Sequence, residues 1–116
     1  MGLADESWLE TLSPEVDCKN LKYENYNESL KFYSKILKEK GCDIIISLNH
    51  MRKPEDLDMA QSNTSDIVDF IFGGHDHCYF TDLNKDTDVF VLKSGTDFEC
   101  FSNLTVLFDV EDDENL

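Results

Sequence analysis

Val68-Asp69-Phe70-Ile71-Phe72-Gly73-Gly74-His75-Asp76-His77 reads as a short apolar strand that stops in a glycine turn and then presents two imidazoles. Glycines at such a point let the backbone take conformations closed to other residues and let a metal or a phosphate come close. Two histidines one residue apart can aim ring nitrogens into the same small volume, which makes part of a metal site without a long helix. Upstream, Asp43-Ile44-Ile45-Ile46-Ser47-Leu48-Asn49 is a second apolar run, leading directly into His50, the only other histidine. All three histidines therefore stand at the C-terminal ends of expected strands, where ligands bind in an open α/β sheet.

Working outward, both runs are too short for helices and read as strands buried on both faces, as in a parallel sheet. Between them, Met51 to Pro54 is expected as loop and Glu55 to Gln61 as a short helix opened by acidic residues, with Ser62 to Ser65 as its break. Before them, Tyr26, Leu30, Tyr33, Ile36 and Leu37 recur at helical spacing between Tyr26 and Lys40, and Gly41 supplies the stop. Helix, strand, helix, strand with short links is a βαβ pattern with a right-handed crossover, hence the α/β class. At the front, Ser7-Trp8-Leu9-Glu10 fits a capping box and predicts a helical turn around Trp8 to Leu12. Ser13-Pro14 is a second stop and start, and Cys18 to Tyr23 reads as connector.

Beyond His77, Cys78-Tyr79-Phe80-Thr81 and Val89-Phe90-Val91-Leu92 flank the polar cluster Asn84-Lys85-Asp86-Thr87, which predicts a hairpin. Lys93-Ser94-Gly95-Thr96 is a further glycine turn. Leu104, Val106 and Phe108 alternate with polar residues, so Asn103 to Val110 is expected as a final antiparallel strand.

Composition narrows the function classes. A chain of 116 residues holds one domain, placed at 1–110, with the acidic stretch 111–116 expected as a disordered tail. Ten Lys and Arg against 25 Asp and Glu give a formal net charge of -15 and a pI near 4.3. Such a field repels a nucleic-acid backbone and suits cations. Four cysteines, Cys18, Cys42, Cys78 and Cys100, form no Cys-x-x-Cys pair and are expected as reduced, buried thiols of an intracellular, cytoplasmic protein. On that reading the sequons at Asn27, Asn63 and Asn103 are chance matches. No secretory signal, myristoylation motif or apolar run of about 20 residues suggests a membrane.

His-x-His with a distant histidine suits zinc, manganese, iron or another ion bound through imidazole nitrogen. The bland alternative is a set of histidines at strand ends, hydrogen-bonded to loop backbone. If the turn is locally extended, Asp76 points away from its flanking histidines and serves as a supporting or turn-forming residue, and Asn49 faces away from His50.

The buried strand ending in His50, the short helix, the strand ending Gly73-Gly74-His75-Asp76-His77 and the Lys93-Ser94-Gly95-Thr96 turn together resemble the C-terminal half of calcineurin-like metallophosphoesterases. Within these the likeness is to the 5′-nucleotidase group. Gly2-Leu3 and Glu6-Ser7-Trp8 resemble a segment in the middle of such domains, so the resemblance covers nearly the whole chain, most sharply from Asp43 to Thr96. It implies part of an α/β sandwich, with a parallel strand core followed by an antiparallel hairpin and a final strand. It further implies a site for two divalent ions of the Mn, Zn, Fe or Mg class, with His50 and His75 on one ion and His77 on the other. Two such ions activate a water for attack on phosphorus in a phosphomonoester or nucleotide. Arg52 is then either a bidentate phosphate contact or a solvated loop charge.

The departures weigh as much as the match. Such enzymes also use Asp-x-His, Gly-Asp-x-x-Asp and Gly-Asn-His motifs, and none precedes His50. The expectation is one wall of a site that binds one ion or none and is inactive alone. A non-catalytic metal-binding or interaction module is the alternative. Half a sandwich leaves an apolar sheet face, so a homodimer or a partner supplying the missing half is expected.

Overall fold

Two parallel strands, one ending in His50 and the other leading into the His75-Asp76-His77 turn, lie next to each other in a five-stranded sheet. The computed structural model describes residues 1–12, 20–63 and 67–107. In chain order the elements are β1 (Gly2–Ala4), a 3-10 turn (Glu6–Thr11), α1 (Tyr26–Glu39), β2 (Ile46–His50), α2 (Lys53–Gln61), β3 (Phe70–Gly73), β4 (Tyr79–Leu83) and β5 (Phe90–Ser94). The sheet order is β1-β2-β3-β5-β4. Four strands run parallel, and β4 pairs antiparallel with β5 as the expected hairpin. The chain is thus α/β with a mixed, mostly parallel sheet.

Helix α1 follows its sequence pattern. Asn25 caps it by accepting from the N–H groups of Asn27 and Glu28, and Gly41 ends it with φ of 83°. Leu30 from α1, with Met59 and Ala60 from α2, packs into one cluster with Ile45, Ile71, Val89 and Val91 on one face of the sheet. The 3-10 turn is capped differently from expectation: the Asp5 carboxylate, not Ser7, accepts from the Trp8 N–H at 3.1 Å. The acceptor is longer-reaching than a serine hydroxyl and bears charge, so it also takes the Ser7 hydroxyl at 2.6 Å.

Several expectations are corrected. The strand read as Asp43 to Leu48 begins at Ile46 and runs through His50. The Ile45 N–H is taken by the Asp69 carboxylate at 2.8 Å, so the ladder starts one residue later. Burial on both faces is also overturned: Ser47 and Asn49 are buried, whereas Ile46 and Leu48 are 38% and 59% exposed. Helices cover one face only, and the other carries Ile46, Leu48, Phe70, Phe72, Phe90 and Leu92 in register across three strands. Residues 103–107 form no strand; Leu104 and Val106 instead border grooves on this open face. Phe108 to Val110 of that expected strand lie outside the described residues, as do Ser13-Pro14, Cys18 and the acidic stretch 111–116. Cys42 and Cys100 are exposed and Cys78 is half-buried, all three free, so the burial expected of these thiols does not hold. Strand β1 has no counterpart in the sequence reading because three residues are too few to show a period.

No helix among the described residues is long and apolar enough to cross a membrane.

The asymmetry of the two faces is measurable. Ile71→Ala, at a fully buried position, should cost about 2–5 kcal/mol in urea unfolding. Leu48→Ser on the open face should stay within about 0.5 kcal/mol. Equal losses at both positions would mean that the open face is covered in solution.

Candidate functional site

Parallel pairing decides which histidines meet. In the β2–β3 register Asn49 lies opposite Gly73, and the Gly74 N–H continues the ladder by donating to the Asn49 carbonyl at 2.8 Å. His50 ends β2 and His75 follows Gly74 in the turn after β3, and their rings sit edge to face with centroids 4.9 Å apart. Nδ1 of His75 lies 3.2 Å from Nε2 of His50. Trp8 stands on the other side of His50 with ring centroids 6.2 Å apart, held there by the 3-10 turn and by the Asp5 N–H bonding the His50 carbonyl at 3.4 Å. His77 is exposed and does not join this pair. Among the described residues no three His, Cys, Asp or Glu side chains converge on one point.

Backbone conformation in the turn departs from the sequence reading. Neither Gly73 nor Gly74 has a positive φ; His75 and His77 do, at 74° and 52°. Left-handed backbone at a non-glycine residue costs about 1–3 kcal/mol and persists only where neighbours impose it. Gly73 is needed for space instead. A Cβ there would fall 2.9 Å from the Lys93 ammonium and closer still to the Asp56 carboxylate.

That ammonium is the feature the sequence reading missed. Lys93 was assigned to a turn, yet it belongs to β5 and is 1% exposed. Its Nζ donates to the carbonyls of Gly74 at 2.7 Å and Met51 at 2.9 Å, and pairs with Asp56 at 2.7 Å and Asp76 at 3.2 Å. Asp56 is buried in α2 and accepts from Asn49 Nδ2 at 2.7 Å. Burial pushes its carboxyl above the ordinary range, against the opposing pull of Lys93 and Asn49. Asp76 also accepts the backbone N–H of Lys53, the first residue of α2, so it caps that helix from across the loop. Arg52 occupies the N-cap position of α2, exposed and making no side-chain cap bond. Asn49 faces the buried side, accepting from the Ser47 hydroxyl, while His50 faces the open side. The available signal for Lys93 was a lone cation closing an apolar strand, since a buried lysine must be paired.

Beside the imidazoles an open groove of about 740 Å³ runs along the uncovered face, bordered by Leu48, His50, Phe72, Gly74, Ser94 and Leu104. The two facing nitrogens suit a metal ion. Ligands about 2.0–2.1 Å from a tetrahedral zinc lie about 3.3 Å from each other, close to the separation here. The same spacing also suits one shared N–H···N proton.

No family model matches this chain, and no curated protein or solved structure matches it.

Asp5 ties the 3-10 turn to His50, and its titration gives a test. Burial alone would raise its carboxyl, but bonds from the Ser7 hydroxyl and Trp8 N–H outweigh this and hold it below the ordinary value of 3.8. A depressed folded value adds stability above the unfolded value that is lost as pH falls through the folded one. Asp5→Ala should therefore cost about 0.5–2 kcal/mol at neutral pH, shrinking in acid, by urea unfolding at each pH. A pH-independent penalty would contradict the assignment.

Proposed function

We propose that this chain is the histidine-bearing part of a metal-dependent phosphoester hydrolase of the 5′-nucleotidase-like kind. The observation that carries the reading is the 3.2 Å approach of His75 Nδ1 and His50 Nε2 at the C-terminal ends of two adjacent parallel strands, beside an open groove. Ligand sites form at such strand ends. The left-handed His75 and His77 add to it, because strained backbone gathers at functional turns.

On this reading His50 and His75 hold one divalent ion of the Mn, Zn, Fe or Mg class, and His77 belongs to a second. Two such ions, if bound, would supply an activated water and positive charge for the phosphoryl oxygens of a phosphomonoester or nucleotide. The protein's own part is to fix two imidazoles at bonding separation and keep a shaped groove beside them. Arg52, exposed at the start of α2, is near enough in sequence to His50 to meet a phosphate. Without bridging carboxylate and acid/base motifs, the 116-residue chain alone is inactive and holds one ion or none.

Zinc titration by calorimetry tests this. Binding of at most one ion per chain is expected, weakened at least about 10-fold by His75→Ala, with negligible metal-stimulated hydrolysis of p-nitrophenyl phosphate. Robust turnover abolished by His75→Ala, with two tightly held ions, would show a complete enzyme; no binding at all would remove the metal reading.

The uncovered sheet face favours a second reading, an interaction module. Exposed Leu48, Leu83 and Tyr79, with Phe98, Phe101 and Leu107 following β5, are an unusual apolar load for a free surface. Association with a second copy or with a chain supplying the opposite layer fits them. Sedimentation velocity should show concentration-dependent association that Leu48→Ser weakens; a monomer at all concentrations would count against it.

A further inference from the structure

We infer that Lys93 is the positioning residue of the histidine pair, setting the separation of His50 and His75 from the opposite face of the sheet. The inference rests on the metal reading above but concerns a residue that touches neither imidazole. The two carbonyls bound by its ammonium belong to Met51, which follows His50, and to Gly74, which precedes His75. One cation therefore grips the backbone immediately beside each histidine. Its other contacts extend the grip: Asp56 fixes the first turn of α2, and Asp76 fixes the residue between His75 and His77.

Geometry restricts what else the ammonium can do. Lys93 lies opposite Gly73 in the β3–β5 register, and only a residue without a Cβ leaves room there for Nζ and for the Asp56 carboxylate. At 1% exposure, the ammonium has these protein oxygens in place of water. Any shift of Nζ moves carbonyls on two loops at once. The left-handed backbone at His75 and His77 needs such outside restraint, because the turn's own bonding is slight: within it, the Asp76 N–H donates to the Gly74 carbonyl at 3.0 Å.

The test uses metal-free protein first. Nitrogen-edited NMR of the wild type should show a ring N–H shared between His75 and His50, and couplings from Lys93 Nζ to the carbonyl carbons of Met51 and Gly74. Absence of those couplings overturns the inference. Lys93→Met combined with Asp56→Asn removes the cation without stranding its most buried anion. With the backbone amide spectrum of the sheet otherwise preserved, this variant should lose the shared ring proton and bind zinc at least about 10-fold more weakly. Should it fail to fold, Gly73→Ala displaces the ammonium with all charges retained and should give the same two losses. Either folded variant keeping both the ring pairing and the zinc affinity overturns the role. Ring pairing that depends on Lys93 in a wild type that binds no zinc would uphold the positioning role and defeat the metal reading.

Discussion

An ammonium removed from water must recover what hydration supplied, and at Lys93 the recovery dictates the architecture around it. Burying an unpaired charge is prohibitive, whereas a cation meeting two carbonyl dipoles and two carboxylates is tolerated. The oxygens come from four places: the loop after β2, the loop after β3, the first turn of α2 and the centre of the His-Asp-His turn. Apolar packing of Met51, Met59 and Ala60 seats α2 on the sheet but does not hold the turn after β3, which contributes no residue to that core. The polar cluster does, and removing one partner would leave the others uncompensated, a loss of about 3–5 kcal/mol in comparable buried pairs.

Strain in the histidine turn follows from this grip. A turn free to relax would place glycine where φ is positive; here Gly73 is spent on close approach and the histidines carry the left-handed backbone. Gly73 makes room for the cation, Gly74 lends it a carbonyl, and the chain must then reverse through His75 and His77. Asp76 holds the reversal by bonding Lys93 on one side and the first N–H of α2 on the other. Beside this restrained backbone the two imidazoles stand 3.2 Å apart.

What could be read from the sequence was what local pattern encodes. Apolar runs ending abruptly at His50 and at Gly73-Gly74 marked two strands with histidines at their C-terminal ends, whereas which histidines meet depends on the β2–β3 register, which local pattern does not encode. Periodicity likewise marked α1, and turn chemistry marked the β4–β5 hairpin. Illegible features depend on contacts between distant segments. Asp56 stands among Glu55 and Asp58 and looked like ordinary acidity at a helix start, while its burial comes from Lys93 37 positions away. Lys93 looked like the head of a turn because a cation ending an apolar strand carries no period. The run before His50 contains only Ile, Leu, Ser and Asn after Asp43, and composition alone cannot say that one of its faces lacks a covering layer.

The open face and the histidine pair adjoin each other, because His50 ends the strand that carries Ile46 and Leu48. In a sheet covered on both sides, residues such as Ile46 and Leu48 would be buried, and the layer lying over them would also reach the strand ends at which His50 and His75 stand. The imidazoles can be approached from that side, since the helix-covered side is filled by Asn49, Asp56 and Lys93. The formal net charge of -15 favours cations at long range, but among the described residues no third His, Cys, Asp or Glu side chain joins the pair. A layer covering the apolar face would therefore also reach the histidine pair, and on the proposed metal reading association and ion binding would be coupled. By reciprocity of linkage, a partner that tightens the ion must be tightened by it to the same degree.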